Sequence, residues 1–126
     1  MEETINDVIK RKKFKTKRES KSFLLHAGYS VDEIIKIHKI KPSKRAMAFE
    51  RLATVIEFLN DGWYPNWEDE TEYKYFNYFQ MKGGFSCWAT HYATGTTVPS
   101  ALCLRSVELA EYMIKHHLDL YKDLYI

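Results

Sequence analysis

Two cysteines and several histidines are the side chains in this sequence best suited to bind a metal ion. They are Cys87, His91, Cys103, His116 and His117. On a strand, residues four apart lie on one face, so Cys87 and His91 could bind the same metal ion. Zinc sites usually begin with a CxxC pair, and neither cysteine belongs to one. We therefore interpret both cysteines as packing residues and expect no metal and no other cofactor.

Patterns typical of enzymes are also weak. A nucleophilic cysteine needs a neighbouring histidine in an electropositive setting, and the local sequence around either cysteine provides none. Glu108 and Glu111 stand three apart, a spacing that does not by itself make a glycosidase. Gly83 and Gly84 lack the flanking pattern of a phosphate-binding loop. We expect a non-enzymatic protein with no catalytic residue.

A dense run of basic residues near the N-terminus is the clearest chemical signal. Its members are Lys10, Arg11, Lys12, Lys13, Lys15, Lys17 and Arg18. Self-repulsion should keep such a run solvated, so residues 1–18 are predicted to form a basic N-terminal arm. These cations could neutralise several phosphates and give nucleic-acid binding a steep salt dependence. Exposed tyrosines or tryptophans could stack on unpaired bases.

The charge of the chain is unevenly distributed. Residues 1–45 hold 13 basic and 6 acidic side chains, whereas residues 46–126 hold 6 basic and 11 acidic ones. Such asymmetry is typical of an arm that meets a polyanion or an acidic partner. Pairing between the two parts of the chain would explain it equally well.

The segment after the arm has a helix, glycine, helix pattern between Arg18 and Ile40. A helix-turn-helix or a small helical hairpin would both bury its apolar positions. Asp32 and Glu33 would stand at the start of the second helix, where a recognition helix approaches DNA, and they would repel phosphate. The small helical hairpin is the favoured interpretation.

An aromatic and acidic segment offers an alternative surface for a protein partner. Its members are Trp63, Tyr64, Trp67, Glu68, Asp69 and Glu70. Trp and Tyr dominate the energetics of many interfaces, and an acidic loop can dock into a basic groove. The competing interpretation is that a small domain with 15% aromatic residues buries most of them.

The hydrophobic pattern predicts the elements that position these residues. A single α+β domain is predicted over residues 19–126, with a small helical hairpin at 19–41, a main helix at 43–60, strands within 73–104 and a C-terminal helix at 106–124. The predicted order is ααα-βββ-α. Strands grouped between helices favour a short antiparallel β-sheet of about three strands packed against helices.

Local signals set the boundaries of the predicted elements. Ser43 and Ser106 are candidate N-caps, and Gly62 is a candidate helix stop. Alternating residues from Tyr73 to Met81 predict a strand, and the following glycines predict a hairpin turn into a second strand at 85–92. The apolar run from Ala101 to Leu104 predicts a third, short strand.

Composition indicates a protein that works inside a cell. The N-terminal residues lack the apolar stretch of a secretory signal, and two isolated cysteines are few for a small secreted domain. No apolar run approaches the roughly 20 residues of a membrane helix. We therefore expect a cytoplasmic protein, without membrane contact.

Several short motifs lie in the second part of the sequence. They are the run from Leu59 to Trp67, Tyr73-Lys74-Tyr75, Leu102-Cys103, Ser106 with Glu108 to Tyr112, and Leu120 to Asp123. With these motifs the sequence resembles a family of small proteins of Bacteroidetes and their phages. The match covers roughly residues 46–126. Family members typically show Gly-Ser-Arg before the Leu-Cys pair, whereas Pro99-Ser100-Ala101 stands here, so no role of that arginine is carried over.

The resemblance implies a phage or mobile-element setting in a bacterial host cell, and it implies no activity. The sequence as a whole predicts an accessory protein that binds nucleic acid through its basic arm. The alternative is a protein-binding module, an inhibitor of a host defence factor or a virion component, that uses the aromatic and acidic surface.

Overall fold

The computed structural model describes residues 3–126, which form two compact units divided between Pro42 and Ser43. Each unit is described by itself. The elements follow the order αααα-ββ-α, so the predicted α+β class is confirmed. The predicted order ααα-βββ-α is wrong in two respects: a fourth helix forms near the N-terminus, and the third strand does not form.

Three short helices form the N-terminal unit. They are α1 (Ile5–Lys12), α2 (Lys17–His26) and α3 (Val31–Ile37). Each begins after a hydroxyl side chain that caps it: Thr4, Thr16 and Ser30 accept hydrogen bonds from backbone amides of the first turn. The unexpected α1 is stabilised by a capping box, in which Asp7 also accepts a hydrogen bond from the Thr4 amide at 3.1 Å.

A small apolar core joins the three helices of this unit. Val8, Leu24 and Ile34 are buried, one from each helix, with Phe23 and Tyr29 packed around them. Burial of α1 on this core, together with its cap, explains why part of the basic run is helical despite its like charges.

Two longer helices and a hairpin form the second unit. They are α4 (Lys44–Asn60), β1 (Lys74–Gln80), β2 (Ser86–Tyr92) and α5 (Val107–Tyr125), with a single 3₁₀ turn at Ser100–Leu102. Ser43 and Ser106 cap α4 and α5, as predicted. The strands pair antiparallel, with Asn77 opposite Ala89, and the turn between them contains Gly83 and Gly84, both at positive φ.

The core of the second unit lies between α4, α5 and one face of the hairpin. Leu52, Ile56, Phe79, Leu104 and Met113 are among its buried members. Asn77 is also buried on this face, and its amide nitrogen donates to the Ala110 carbonyl at 3.0 Å and to the Tyr121 hydroxyl at 3.3 Å. Burial raises the pKa of Tyr121 to about 12.

The third strand predicted from Ala101 to Leu104 does not form. Its first residues belong to the 3₁₀ turn, and only Leu104 pairs with β1, through two backbone hydrogen bonds to Tyr75. The buried Asn60 side chain donates to the Cys103 carbonyl at 2.9 Å and accepts from the Arg105 amide at 3.1 Å. A side chain therefore satisfies backbone groups that a neighbouring strand would otherwise bind.

Candidate nucleic-acid interface

The turn between α1 and α2 gathers much of the basic run. Lys13 is the C-cap of α1; it takes a left-handed conformation with φ of 50° and donates its amide to the Ile9 carbonyl. Thr16 then caps α2 by accepting from the Glu19 amide at 3.1 Å. Because the two helices are only four residues apart, the lysines of the turn are held close together rather than spread along an extended arm.

Three of these lysines line one cavity of about 350 Å³ on the N-terminal unit. They are Lys13, Lys15 and Lys17, and the cavity wall also includes Ser20 and His38. Within residues 3–126, no acidic group lies within salt-bridge distance of these three lysines. The cavity therefore concentrates positive charge beside hydrogen-bond donors, which is the chemistry that a phosphate group requires.

The other four basic residues of the predicted arm have different surroundings. Arg11 is paired with Glu3, with 2.6 Å between Nε and Oε1. The Lys12 ammonium lies 4.9 Å from the centre of the Phe23 ring. Lys10 and Arg18 are exposed. The structure thus separates seven residues that the sequence had grouped by charge alone.

Ser20 and His38 form the polar wall of the cavity. Ser20 is buried, and its hydroxyl oxygen lies 2.9 Å from His38 Nε2. Burial lowers the pKa of His38, and the nearby charges of Lys17 and Lys21 lower it further. The ring is therefore predominantly neutral at pH 7, and a bound anion would favour its protonation.

α3 is poorly suited to approach nucleic acid. Asp32 and Glu33 stand at its start, and both are exposed. Ser30 caps the helix and also donates its hydroxyl to the Glu33 carboxylate at 3.0 Å. These acids occupy the part of a recognition helix that normally meets bases and phosphates, so the basic side of this unit is the α1–α2 turn.

The aromatic part of the alternative surface lines an open concavity of about 800 Å³ in the second unit. Trp63 and Tyr64 contribute to it together with Phe58, Arg105 and Leu109. Phe58 is 82% exposed and Tyr64 is 71% exposed, which are high values for aromatic residues. Phe58 was not among the predicted site residues, because its place in the α4 sequence does not reveal its exposure.

The backbone around Asp69, in the acidic part of that surface, is organised by an internal cation. Lys74 is fully buried, and its ammonium donates to the carbonyls of Asp69 and Glu72 at 2.9 Å and of Ala93 at 2.7 Å. The same ammonium lies 5.3 Å from the centre of the Trp67 ring.

Two side chains of the predicted surface, Trp67 and Asp69, are already held by hydrogen bonds within the protein. The Trp67 indole donates to the Ser100 hydroxyl at 3.0 Å, and Asp69 accepts from the amide and hydroxyl of Thr71. Those hydrogen bonds lower the pKa of Asp69. Only Glu68 and Glu70 are exposed members of the acidic set, so the six predicted residues do not form one uniform surface.

The candidate metal ligands are not brought together. Within the described part of the chain, no group of three or more His, Cys, Asp or Glu side chains could hold a metal ion. Cys103 is buried and Cys87 is half-buried, and burial raises the pKa of both thiols. Raised pKa values favour the neutral, unreactive thiol at pH 7.

Comparison with models of protein families, with curated proteins and with solved structures found no match. Among residues 3–126, no helix has the length and apolar character needed to cross a membrane.

Sequence reasoning also missed His38 and Lys74. A histidine 18 residues from its serine partner carries no local signal, and a strand lysine normally faces solvent.

Proposed function

We propose that this protein binds nucleic acid through phosphate contacts made at the α1–α2 turn. The observation that carries the proposal is the cavity shared by Lys13, Lys15 and Lys17, in which no carboxylate of residues 3–126 lies within salt-bridge distance of the three ammonium groups. Phosphate binding needs charge and donors at one place, and this turn supplies both. The protein acts as a binding domain and not as an enzyme.

Recognition at this site is electrostatic and largely independent of base sequence. One backbone phosphate enters the cavity, between the lysines and near the Ser20 hydroxyl, while Lys10 and Arg18 contact neighbouring phosphates. Lysine ammonium groups attract phosphate as point charges and carry no base information. The acidic start of α3 turns that helix away from the nucleic acid.

The setting of this activity is the cytoplasm of a bacterial host cell. The resemblance of residues 46–126 to proteins of Bacteroidetes and their phages supports a role as an accessory protein of a phage or mobile element. Nucleic acid is the partner, and no cofactor is required for binding of this kind.

Fluorescence anisotropy tests the proposal directly. Labelled single-stranded and duplex DNA and RNA are titrated with the purified protein from low to physiological salt. The proposal predicts affinity near micromolar at low salt, little preference among sequences, and a steep loss with salt, since each released counterion contributes to the slope. Absence of binding at low salt to all four probes would overturn it.

A protein partner is the second candidate function, and the exposure of Phe58 and Tyr64 favours it. Two aromatic side chains beside one 800 Å³ concavity match the anchor residues of interfaces. In this function the protein inhibits a host defence factor or joins a virion, and the exposed Glu68 and Glu70 contribute charge to the same partner.

Affinity capture with variants tests the second candidate. The double substitution Phe58→Ser with Tyr64→Ser should abolish capture of a host or phage protein. Tyr112→Ser, which removes a 42% exposed aromatic of α5, should leave it intact. Equal capture by both variants would show that the concavity is not the binding surface.

A further inference from the structure

The backbone of β1 shows which groups of β2 face outward. The Tyr75 amide and carbonyl both hydrogen-bond to Leu104, at 3.0 and 2.6 Å, so they point away from β2. In an antiparallel pair the bonded positions alternate. Tyr75 lies opposite His91 and Asn77 opposite Ala89, so these are the non-bonded pairs of the hairpin.

The outer edge of β2 therefore presents the amides and carbonyls of Cys87, Ala89 and His91. Among the described residues, no hydrogen bond from another segment reaches these backbone groups. An edge of this kind is a template for another strand.

β2 also lacks the features that usually protect an edge. Its sequence from Ser86 to Tyr92 contains no charged residue, no proline and no bulge against β1. Trp88 is 49% exposed and its ring centre lies 5.0 Å from that of Tyr78 on the neighbouring strand. The edge is thus uncharged and flanked by an exposed aromatic pair.

We propose that β2 pairs with β2 of a second copy, antiparallel and about a two-fold axis at Ala89. In this register Cys87 faces the second copy's His91, and Ala89 faces the second copy's Ala89. All of these residues point their backbone groups outward, so about six interstrand hydrogen bonds form. The product is a four-stranded sheet, β1-β2-β2-β1.

The side chains of β2 fit their own two-fold copies. On the exposed face, Ser86 lies opposite the second copy's Tyr92, and Trp88 lies opposite the second copy's Thr90. The two Trp88 rings are diagonal neighbours across the axis, within the reach of aromatic side chains. No like charges meet in this arrangement. Because β2 carries no Lys, Arg, Asp or Glu, it offers a charged extended peptide no opposite charge, and a second copy is the better-matched occupant.

Disulfide trapping tests the register. In a Cys87→Ser background, Ala89→Cys places two thiols opposite each other at a Cα separation of roughly 5.5 Å, within the range of a disulfide. Mild oxidation should convert most of the protein to a covalent dimer. Ser86→Cys in the same background should remain largely monomeric. Equal trapping of the two variants, or trapping of neither, would overturn the proposal.

Charge substitution at the exposed face gives a second measurement. The double variant Ser86→Lys with Tyr92→Lys, and the double variant Ser86→Glu with Tyr92→Glu, should each dimerise at least tenfold more weakly than wild type in sedimentation. A mixture of the two should form heterodimers. A wild-type protein that stays monomeric at millimolar concentration, or a mixture that does not associate, would contradict β2 pairing. Neither result depends on nucleic-acid binding.

Discussion

Arg11 of α1 is held by Glu3 through two hydrogen bonds, 2.6 Å from Nε to Oε1 and 3.1 Å from Nη2 to Oε2. This bidentate pair uses two N–H donors of the guanidinium that could otherwise bind a phosphate. The two side chains are exposed, so the pair contributes little to stability. Its consequence is for binding, because one cation of the basic run is already neutralised.

Glu3→Gln should therefore strengthen nucleic-acid binding. The substitution frees the Arg11 guanidinium to contact phosphate, and we expect the slope of log affinity against log salt to steepen by about 0.9 on duplex DNA, the value for one added contact. Anisotropy titrations at several salt concentrations measure this slope. Asp7→Asn is the matched control for charge. It should change the slope less, because Asp7 caps α1 and forms no salt bridge with a basic side chain of residues 3–126. A slope that is unchanged by Glu3→Gln would contradict the assignment of Arg11.

His38 should make binding dependent on pH. Its pKa lies below the ordinary value of about 6.5 in the free protein, and a phosphate in the same cavity raises it. Binding therefore takes up a proton, and affinity should rise as the pH falls from 7.5 to 5.5, by roughly fivefold. In the free protein the sign is opposite: folding stability is lost as the pH falls through this range.

Two histidine variants separate this effect from general titration. His38→Gln keeps a hydrogen-bonding side chain near Ser20 and should remove the pH dependence of affinity. His26→Gln, in the same unit, should retain it, because His26 hydrogen-bonds to the Ser22 carbonyl and does not line the cavity. If both variants keep the wild-type pH profile in anisotropy, His38 does not take part in binding.

Lys74 should be the most sensitive polar position of the second unit. Lys74→Met leaves the carbonyls of Asp69, Glu72 and Ala93 without their buried donor, and we expect the free energy of unfolding to fall by about 3 kcal/mol. Urea denaturation followed by tryptophan fluorescence measures the change. Lys82→Met, at an exposed site in the hairpin turn, should cost under about 0.5 kcal/mol. Similar losses for the two variants would contradict the structural role of Lys74.

Asn60 should be intolerant of aspartate in spite of its similar shape. Asn60→Asp keeps an acceptor for the Arg105 amide but loses the donor to the Cys103 carbonyl, and it buries a carboxylate. We expect the variant to lose about 2–3 kcal/mol of stability at pH 7. The loss should shrink as the pH falls toward about 4, since protonation restores a donor. A loss that is constant between pH 4 and 7 would show that the hydrogen bond to Cys103 is unimportant.

The predictable parts of the fold are those with local signals. Ser43 and Ser106 mark the starts of α4 and α5, and the paired glycines mark the hairpin turn, because caps and turns depend on residues close in sequence. The prediction of a third strand was wrong because the backbone there is bound by Asn60, more than 40 residues away. The helix α1 was not predicted because the like charges of the basic run outweighed the signals from the Thr4 cap and from Val8.

The candidate site was predictable only as a charged segment. Charge density at Lys10 to Arg18 indicated phosphate binding, but the division among its members depends on the left-handed turn at Lys13 and on the Arg11 pair. His38 and Phe58 were missed because their roles come from tertiary neighbours and exposure. Neither property has a signal in the local sequence.

The most direct test of the central claim compares two triple variants of equal charge in the N-terminal unit. Lys13→Gln, Lys15→Gln and Lys17→Gln together remove the cavity cations, whereas Lys36→Gln, Lys39→Gln and Lys41→Gln remove three exposed cations that do not line the cavity. Anisotropy with a single-stranded probe at low salt should show at least a tenfold loss for the first variant, and less than a threefold loss for the second. Equal losses would contradict a phosphate site at the α1–α2 turn and would indicate binding by net charge alone.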